Sequence, residues 1–153
     1  LKWPNDVLVD GRKLCGVLLE VSGEAGGPST AVLGVGVNFR LPTRQGSKID
    51  QPWTDLSRSN APVISRNRLA GVLLDRLIEA CCEFGVGRLA PFLPRWDRFD
   101  RFKGLVVRVV RGPNSSEGIY RGITPGGAML LEGPSGLGEY HAGEVSLRKD
   151  GVG

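Results

Sequence analysis

Asp10-Gly11 stands between two runs of β-forming residues, Val7-Leu8-Val9 before it and Val17-Leu18-Leu19 after it. Asp-Gly is a dipeptide that lets the backbone take positive φ at consecutive positions, and a tight turn of that kind folds one strand back antiparallel on the next. Residues 2–20 are therefore expected to form a hairpin. A plain hairpin needs no charge, yet this one carries Lys2-Trp3-Pro4-Asn5-Asp6 at one end and Lys13 just past the turn. Pro4 biases Trp3 towards an extended backbone. The stretch reads as a hairpin recruited as one wall of a site.

The chain beyond it divides into two textures. Residues 7–10 and 14–22 read as strands, 22–29 as a turn and 30–39 as a third strand. The unbroken β-branched and leucine character of that third strand predicts burial on both of its faces. Residues 41–62 form a long polar loop, with Trp53 placed to anchor it. Ser65 has the side chain of a helix N-cap. Behind it Leu69, Val72, Leu73, Leu77, Ala80 and Phe84 fall at helical spacing, widened by Leu74, Ile78 and Cys81, so the helix is expected to be substantially buried and to end at Gly85 and Gly87. A short helix is expected over 91–99, starting late because of Pro94, with Leu93, Trp96 and Phe99 inward.

After Phe102 the texture changes. Five short apolar stretches at 105–110, 117–123, 128–131, 138–142 and 144–147 alternate with Gly/Pro-rich turns, which predicts a small β-barrel. The boundary is placed near 101–104, giving residues 1–102 as one domain and 103–153 as a second. The fold class is α+β, an α/β mixed-sheet domain followed by an SH3-like barrel.

Composition narrows the chemistry. The net charge of +4 permits anionic partners without demanding them. The three cysteines, at 15, 81 and 82, form no CxxC pair, which argues against a disulfide framework or a zinc site and fits a reducing, cytoplasmic setting. A single histidine, His141, rules out a multi-histidine metal centre. His141 and the Trp96 cluster read as structural. No apolar run is long enough to span a bilayer, and no signal peptide is visible. The chain starts at Leu1, almost on top of its richest motif, so further sequence is expected before it.

Five features carry candidate chemistry. Lys13 offers a compact charge on a flexible stem, able to pin a carboxylate or an α-phosphate and to stabilise charge in acyl transfer. Asp6 could hold Mg²⁺ through oxygen and Asn5 could bond a ribose or phosphate, although Asn-Asp is also a common turn pair. Gly34-Val35-Gly36-Val37-Asn38 bares one face of a strand, against which either a ligand or a helix could pack, and ends on a polar group. A dinucleotide-binding reading of it fails for want of a third glycine and a following helix. Gly16 repeats that logic on the neighbouring strand, so three glycines could make a floor for a planar ligand. Arg148, near the end of the barrel, could reach a phosphate or simply face solvent.

Taken in order, Lys2-Trp3-Pro4-Asn5-Asp6, then Lys13-Leu14-x-Gly16-Val17-Leu18-x-Glu20, then Gly34-x-Gly36-x-Asn38 resembles the biotin–protein ligases. The resemblance continues through the helix, Arg95-Trp96 and the terminal Gly143-Glu144-Val145-Ser146-Leu147-Arg148, covering essentially the whole chain. It implies activation of biotin with ATP to biotinoyl-5′-AMP, then transfer to a lysine of the biotin carboxyl carrier domain of a carboxylase. ATP and biotin are then substrates and Mg²⁺ an accompanying ion. Lys13 matches the catalytic lysine. Gly16, Gly34 and Gly36, with Lys13, match biotin-binding positions. Lys2, Trp3, Asn5, Asp6, Asn38 and Arg148 match nucleotide positions, with Asp6 also the Mg²⁺ position. Residues 1–102 would be the C-terminal half of the catalytic domain. The family's upstream Gly-Arg-Gly-Arg-type loop is not among these residues, so the fragment is expected to be nearly inactive alone. A homodimer is possible on this resemblance, and DNA enters only where a helix-turn-helix domain precedes Leu1. A lipoate-type acyl-protein ligase of the same superfamily is the alternative. A nucleic-acid-binding SH3-like module is the alternative from another class, disfavoured because Tyr120 and Tyr140 are the barrel's only aromatics.

Overall fold

The computed structural model describes residues 1–23, 27, 29–42, 49, 51–59, 64–142 and 146–149, the last four by backbone alone. The chain forms two compact units, one of residues 5–66 and one of residues 1–4 with 67–153. Residues 143–145 of the terminal motif lie outside the described residues.

The first unit is built on three antiparallel strands, β1 (Asp6–Val9), β2 (Arg12–Gly23) and β3 (Ser29–Val37), in the order β1-β2-β3. The expected hairpin is present. Asp10 and Gly11 both take positive φ, 51° and 77°, which gives the turn the same twist as the strands it joins. An isolated parallel bridge joins Lys13 and Trp53. It ties the 51–59 segment, including the 3-10 turn Leu56–Arg58, to the start of β2.

The prediction that β3 is buried on both faces does not hold. No residue of β2 or β3 is fully buried. Leu18 and Val32 are each 58% exposed on one face, and Leu19 is 56% exposed on the other. The pattern is that of a strand covered on both sides, but among the described residues no layer closes over either side.

The second unit holds α1 (Arg66–Gly87), α2 (Leu93–Phe99) and the strands β4 (Val106–Arg111), β5 (Asn114–Ile123), β6 (Met129–Gly133), β7 (Gly136–Tyr140) and β8 (Ser146–Lys149). α1 begins directly after Ser65 as expected, yet it contains no fully buried residue. Only a narrow stripe of Leu69, Leu73, Leu77, Ala80, Glu83 and Gly87 is half-buried, while Val72, Leu74, Ile78 and Phe84 are exposed. The wide apolar stripe in the sequence exceeds what this chain covers. Gly85 does not end the helix. It runs to Gly87, and Arg88 takes the left-handed conformation instead, at φ 53°. α2 starts late, at Leu93, with Pro94 in its first turn, where the missing N–H costs nothing. Phe99 is exposed rather than inward.

The five predicted strands form one antiparallel sheet in the order β7-β6-β5-β4-β8. β7 and β8 are its edges, and among the described residues no pairing closes one on the other. Alternation along β4 puts Val107 and Val109 inward with Tyr120, Met129 and Leu131, all at most 3% exposed. The Tyr120 hydroxyl donates to Asp100 Oδ2 at 2.6 Å, and the Trp96 indole N–H donates to the same oxygen at 3.1 Å. Burial, reinforced by the Asp100 carboxylate, pushes the Tyr120 hydroxyl far above its ordinary pKa, so it stays protonated and donates to Asp100.

Candidate functional site

The site grows from an irregularity in the β1–β2 hairpin. Regular alternation would put Lys13 and Gly16, three residues apart, on opposite faces of β2. The register shifts between Val7, opposite Cys15, and Leu8, opposite Lys13, so Leu14 is an extra residue in β2. Such a bulge re-aims a side chain. Lys13 faces across to Leu8, and Gly16 to Asp6. Asp6 and Leu8 share a face of β1, so the bulge brings Lys13, Asp6 and Gly16 onto one side of the sheet.

Across β3, Gly36 pairs with Gly16 and Gly34 with Leu18, extending that same side. Asn5, Lys13, Gly16, Val17, Leu18, Gly34, Val35 and Gly36 line a shallow concavity of about 490 Å³. The lysine and all three candidate floor glycines thus meet in one place. Lys13 Nζ lies 2.6 Å from Asp6 Oδ1. Gly16 makes this possible, since a Cβ there would sit 3.2 Å from both Cε and Nζ of Lys13 and 3.4 Å from Asp6 Oδ1.

Asn5 brackets Val17. Its side-chain amide donates to the Val17 carbonyl, and its own carbonyl accepts from the Val17 N–H at 3.0 Å. Asn38 is fastened at the far end of β3. Its Nδ2 donates to the carbonyls of Lys13 (3.2 Å) and Thr54 (3.0 Å), and its backbone pairs with Leu14 and Leu56. Both amide hydrogens are committed to the backbone beneath Lys13, and its side-chain oxygen is the group with which it can meet a ligand amine. Cys15 points to the other side of the sheet. Burial pushes its thiol up, which favours the neutral form over the thiolate.

Sequence reasoning missed Thr54 and Asp55, both nearly inaccessible. The Asp55 carboxylate accepts from the Ser57 hydroxyl at 2.6 Å, the Leu41 N–H at 2.9 Å and the Arg58 N–H at 3.1 Å, with the Arg58 guanidinium at 3.5 Å. Burial works against its charge, but those donors outweigh burial and hold its pKa below the usual carboxylate value. An Asp that accepts from the N–H three residues on is a helix-start pattern, and Asp55-Leu56-Ser57-Arg58 carried that signal. Arg58 also stacks over Trp53, 4.3 Å from the ring centre.

Three candidates belong to the other unit. Lys2 is half-buried. Trp3 is 3% exposed and its indole N–H donates to the Gly127 carbonyl at 3.1 Å, so this side chain is spent as an anchor. Arg148 lies on β8, opposite Arg108.

Residues 1–38 match the model of the Biotin/lipoate A/B protein ligase family. The chain is 36% identical over 148 residues to the bifunctional ligase/repressor BirA of Escherichia coli, covering 97% of this chain and 46% of that protein. It is 29% identical over 147 residues to the biotin--[acetyl-CoA-carboxylase] ligase of Paracoccus denitrificans, covering 95% of this chain and 61% of that protein. The solved biotin protein ligase of Aquifex aeolicus, in complex with biotin and ATP, superposes with a TM-score of 0.80 at 25% identity, over 98% of this chain and 62% of that one. The chain therefore spans about half the length of the curated relatives it matches. Together these likenesses support a member of the biotin–protein ligase family.

Proposed function

We propose that this chain is the part of a biotin–protein ligase that carries the lysine of the adenylation site, with residues 1–102 from the catalytic domain and 103–153 the C-terminal domain. The observation that carries the reading is Lys13, whose ammonium lies over a floor of Gly16 beside Gly34 and Gly36. In the first step a biotin carboxylate oxygen attacks the α-phosphorus of ATP. The bond to the β-phosphate oxygen breaks and pyrophosphate leaves. Two anions must meet, and a fixed ammonium between them lowers that repulsion. In the second step the amine of a carrier-domain lysine attacks the acyl carbon, loses a proton and expels AMP. The glycines let a fused ring lie against backbone. Asn5, Asn38, Lys2 and Arg148 are assigned to the nucleotide, and Trp3 supports them by anchoring the motif. The carrier partner, a cytoplasmic location and any homodimer belong to this reading. No helix among the described residues is long and apolar enough to cross a membrane.

Mg²⁺ would screen the triphosphate. The residues present do not fit a protein-held ion at Asp6. Its Oδ1 already faces an ammonium at 2.6 Å, and the described residues contain no cluster of three His, Cys, Asp or Glu side chains. A divalent ion there would crowd two cations onto one carboxylate, so no step is routed through it.

Calorimetry tests the reading. Biotin is expected to bind and lipoate not, with Lys13→Ala weakening biotin by at least about tenfold; preference for lipoate, or indifference to Lys13→Ala, defeats it. The concavity is open to water, which would hydrolyse an acyl-adenylate. The chain alone, given biotin, Mg·ATP and a carrier domain, is therefore expected to yield at most a trace of biotinylated product.

A further inference from the structure

Resting on the reading of Lys13 as the group that meets the carboxylate, we propose that Asp6 is a positioning residue for Lys13 and not a metal ligand. Three observations converge on this. The bulge at Leu14 brings Lys13 to the face of Asp6, which a regular strand would not do. Their charged atoms are 2.6 Å apart, and the Asp6 side chain is only 12% exposed, so water screens the pair less than it screens a surface ion pair. Both ends of the pair lean over Gly16, which has no side chain to part them.

The arrangement has a use. A lysine ammonium has three hydrogens and a stem of freely turning bonds. Asp6 takes one hydrogen and fixes the stem. Two hydrogens then remain for the two reacting anions, a carboxylate and an α-phosphate. The rotamer freedom of the lysine is given up before any ligand arrives, which is the meaning of preorganisation here.

The test begins without ligand, on the whole 153-residue chain. NMR of ¹⁵N,¹³C-labelled protein reads scalar coupling from the Lys13 ammonium nitrogen across the hydrogen bond to the Asp6 carboxylate carbon. The coupling is expected in the native chain and lost in Asp6→Asn, with the backbone amide spectrum otherwise kept. Titration with Mn²⁺ is expected to broaden the amides around Asp6 no more in the native chain than in Asp6→Asn. Absence of the coupling, or saturable broadening that Asp6→Asn abolishes, overturns the proposal. These readouts stand whether or not the chain is a ligase.

Where biotin binds, a double-mutant cycle adds the positioning readout. Asp6→Asn is expected to weaken biotin about tenfold, the equivalent of the freedom regained by one lysine side chain, and to change nothing in a Lys13→Ala background. An equal loss in both backgrounds also overturns the proposal, because Asp6 would then act independently of Lys13.

Discussion

β2 and β5 are both long strands with an antiparallel partner on each side, yet they spend their apolar residues differently. β5 carries Tyr120 into a core where Val107 and Met129 are fully hidden, while on β2 Leu18, Leu19 and Val21 are all more than half exposed. The β4–β8 sheet is held by its own packing. The β1–β3 sheet is held by backbone pairing, a two-residue turn, a bulge and a polar clamp on Asn38 and Asp55. What separates them is what each must present. The clamped sheet offers a charged side chain above bare backbone, and a packed face could not do that.

The sharpest way to break the comparison is to truncate one apolar side chain in each sheet. Met129→Ala opens a cavity in the packed sheet and is expected to cost about 2–5 kcal/mol. Leu19→Ala removes a side chain that is already 56% exposed and should fall within about 0.5 kcal/mol of the native chain. Urea denaturation followed by circular dichroism reads both. Comparable losses would mean that the β1–β3 sheet has a covered core after all.

This contrast also explains what could be read in advance. The turn at Asp10-Gly11 and the five strands after Phe102 were legible because turn chemistry and period-2 alternation are local. Gly16, Gly34 and Gly36 were legible as one floor from their places on neighbouring strands, but Lys13 joined them only through the family resemblance. Counted along a regular strand, Lys13 and Gly16 would face apart, and no residue type announces the bulge that reunites them. Burial of β3 and α1 was misjudged because a sequence records which faces are apolar, not whether this chain supplies the layer that covers them. Asp55 was missed because its three donors come from Leu41, Ser57 and Arg58, and of these only the last two lie within the turn it starts.

Asp55 makes the next test, directed at the clamp. Replacing it with Asn removes a charged acceptor of several hydrogen bonds, expected to cost about 1.5–3 kcal/mol at neutral pH. Its pKa is held below the usual 3.8, so its contribution is fully present above that value and is lost as pH falls through the lower, folded-state pKa. The stability gap between the native chain and Asp55→Asn should therefore be flat from about pH 5 upward and narrow only below about pH 4. A gap that narrows instead between pH 5 and 7 would show that the donors do not outweigh burial.

Gly16→Ala is expected to leave stability as little changed as Leu19→Ala does, and it sharpens the contrast most. The new methyl would meet Lys13 Cε and Nζ at 3.2 Å, the far end of a flexible side chain that can move aside by a few tenths of an ångström. Stability should stay within about 0.5 kcal/mol of the native chain, because no packed backbone is displaced. That small shift, however, moves the ammonium off its position beside Asp6 and over the floor, so biotin affinity should fall by about tenfold. Gly34→Ala is the control. Its Cβ would meet nothing nearer than Leu18 Cβ at 3.8 Å, so it can disturb a ligand only by filling the floor and leaves the Lys13–Asp6 pair intact. Unfolding curves and biotin titrations on the two variants separate the roles. If Gly16→Ala keeps full affinity, the bare backbone under Lys13 has no part in placing it, and the two sheets differ only in how much apolar surface they leave open.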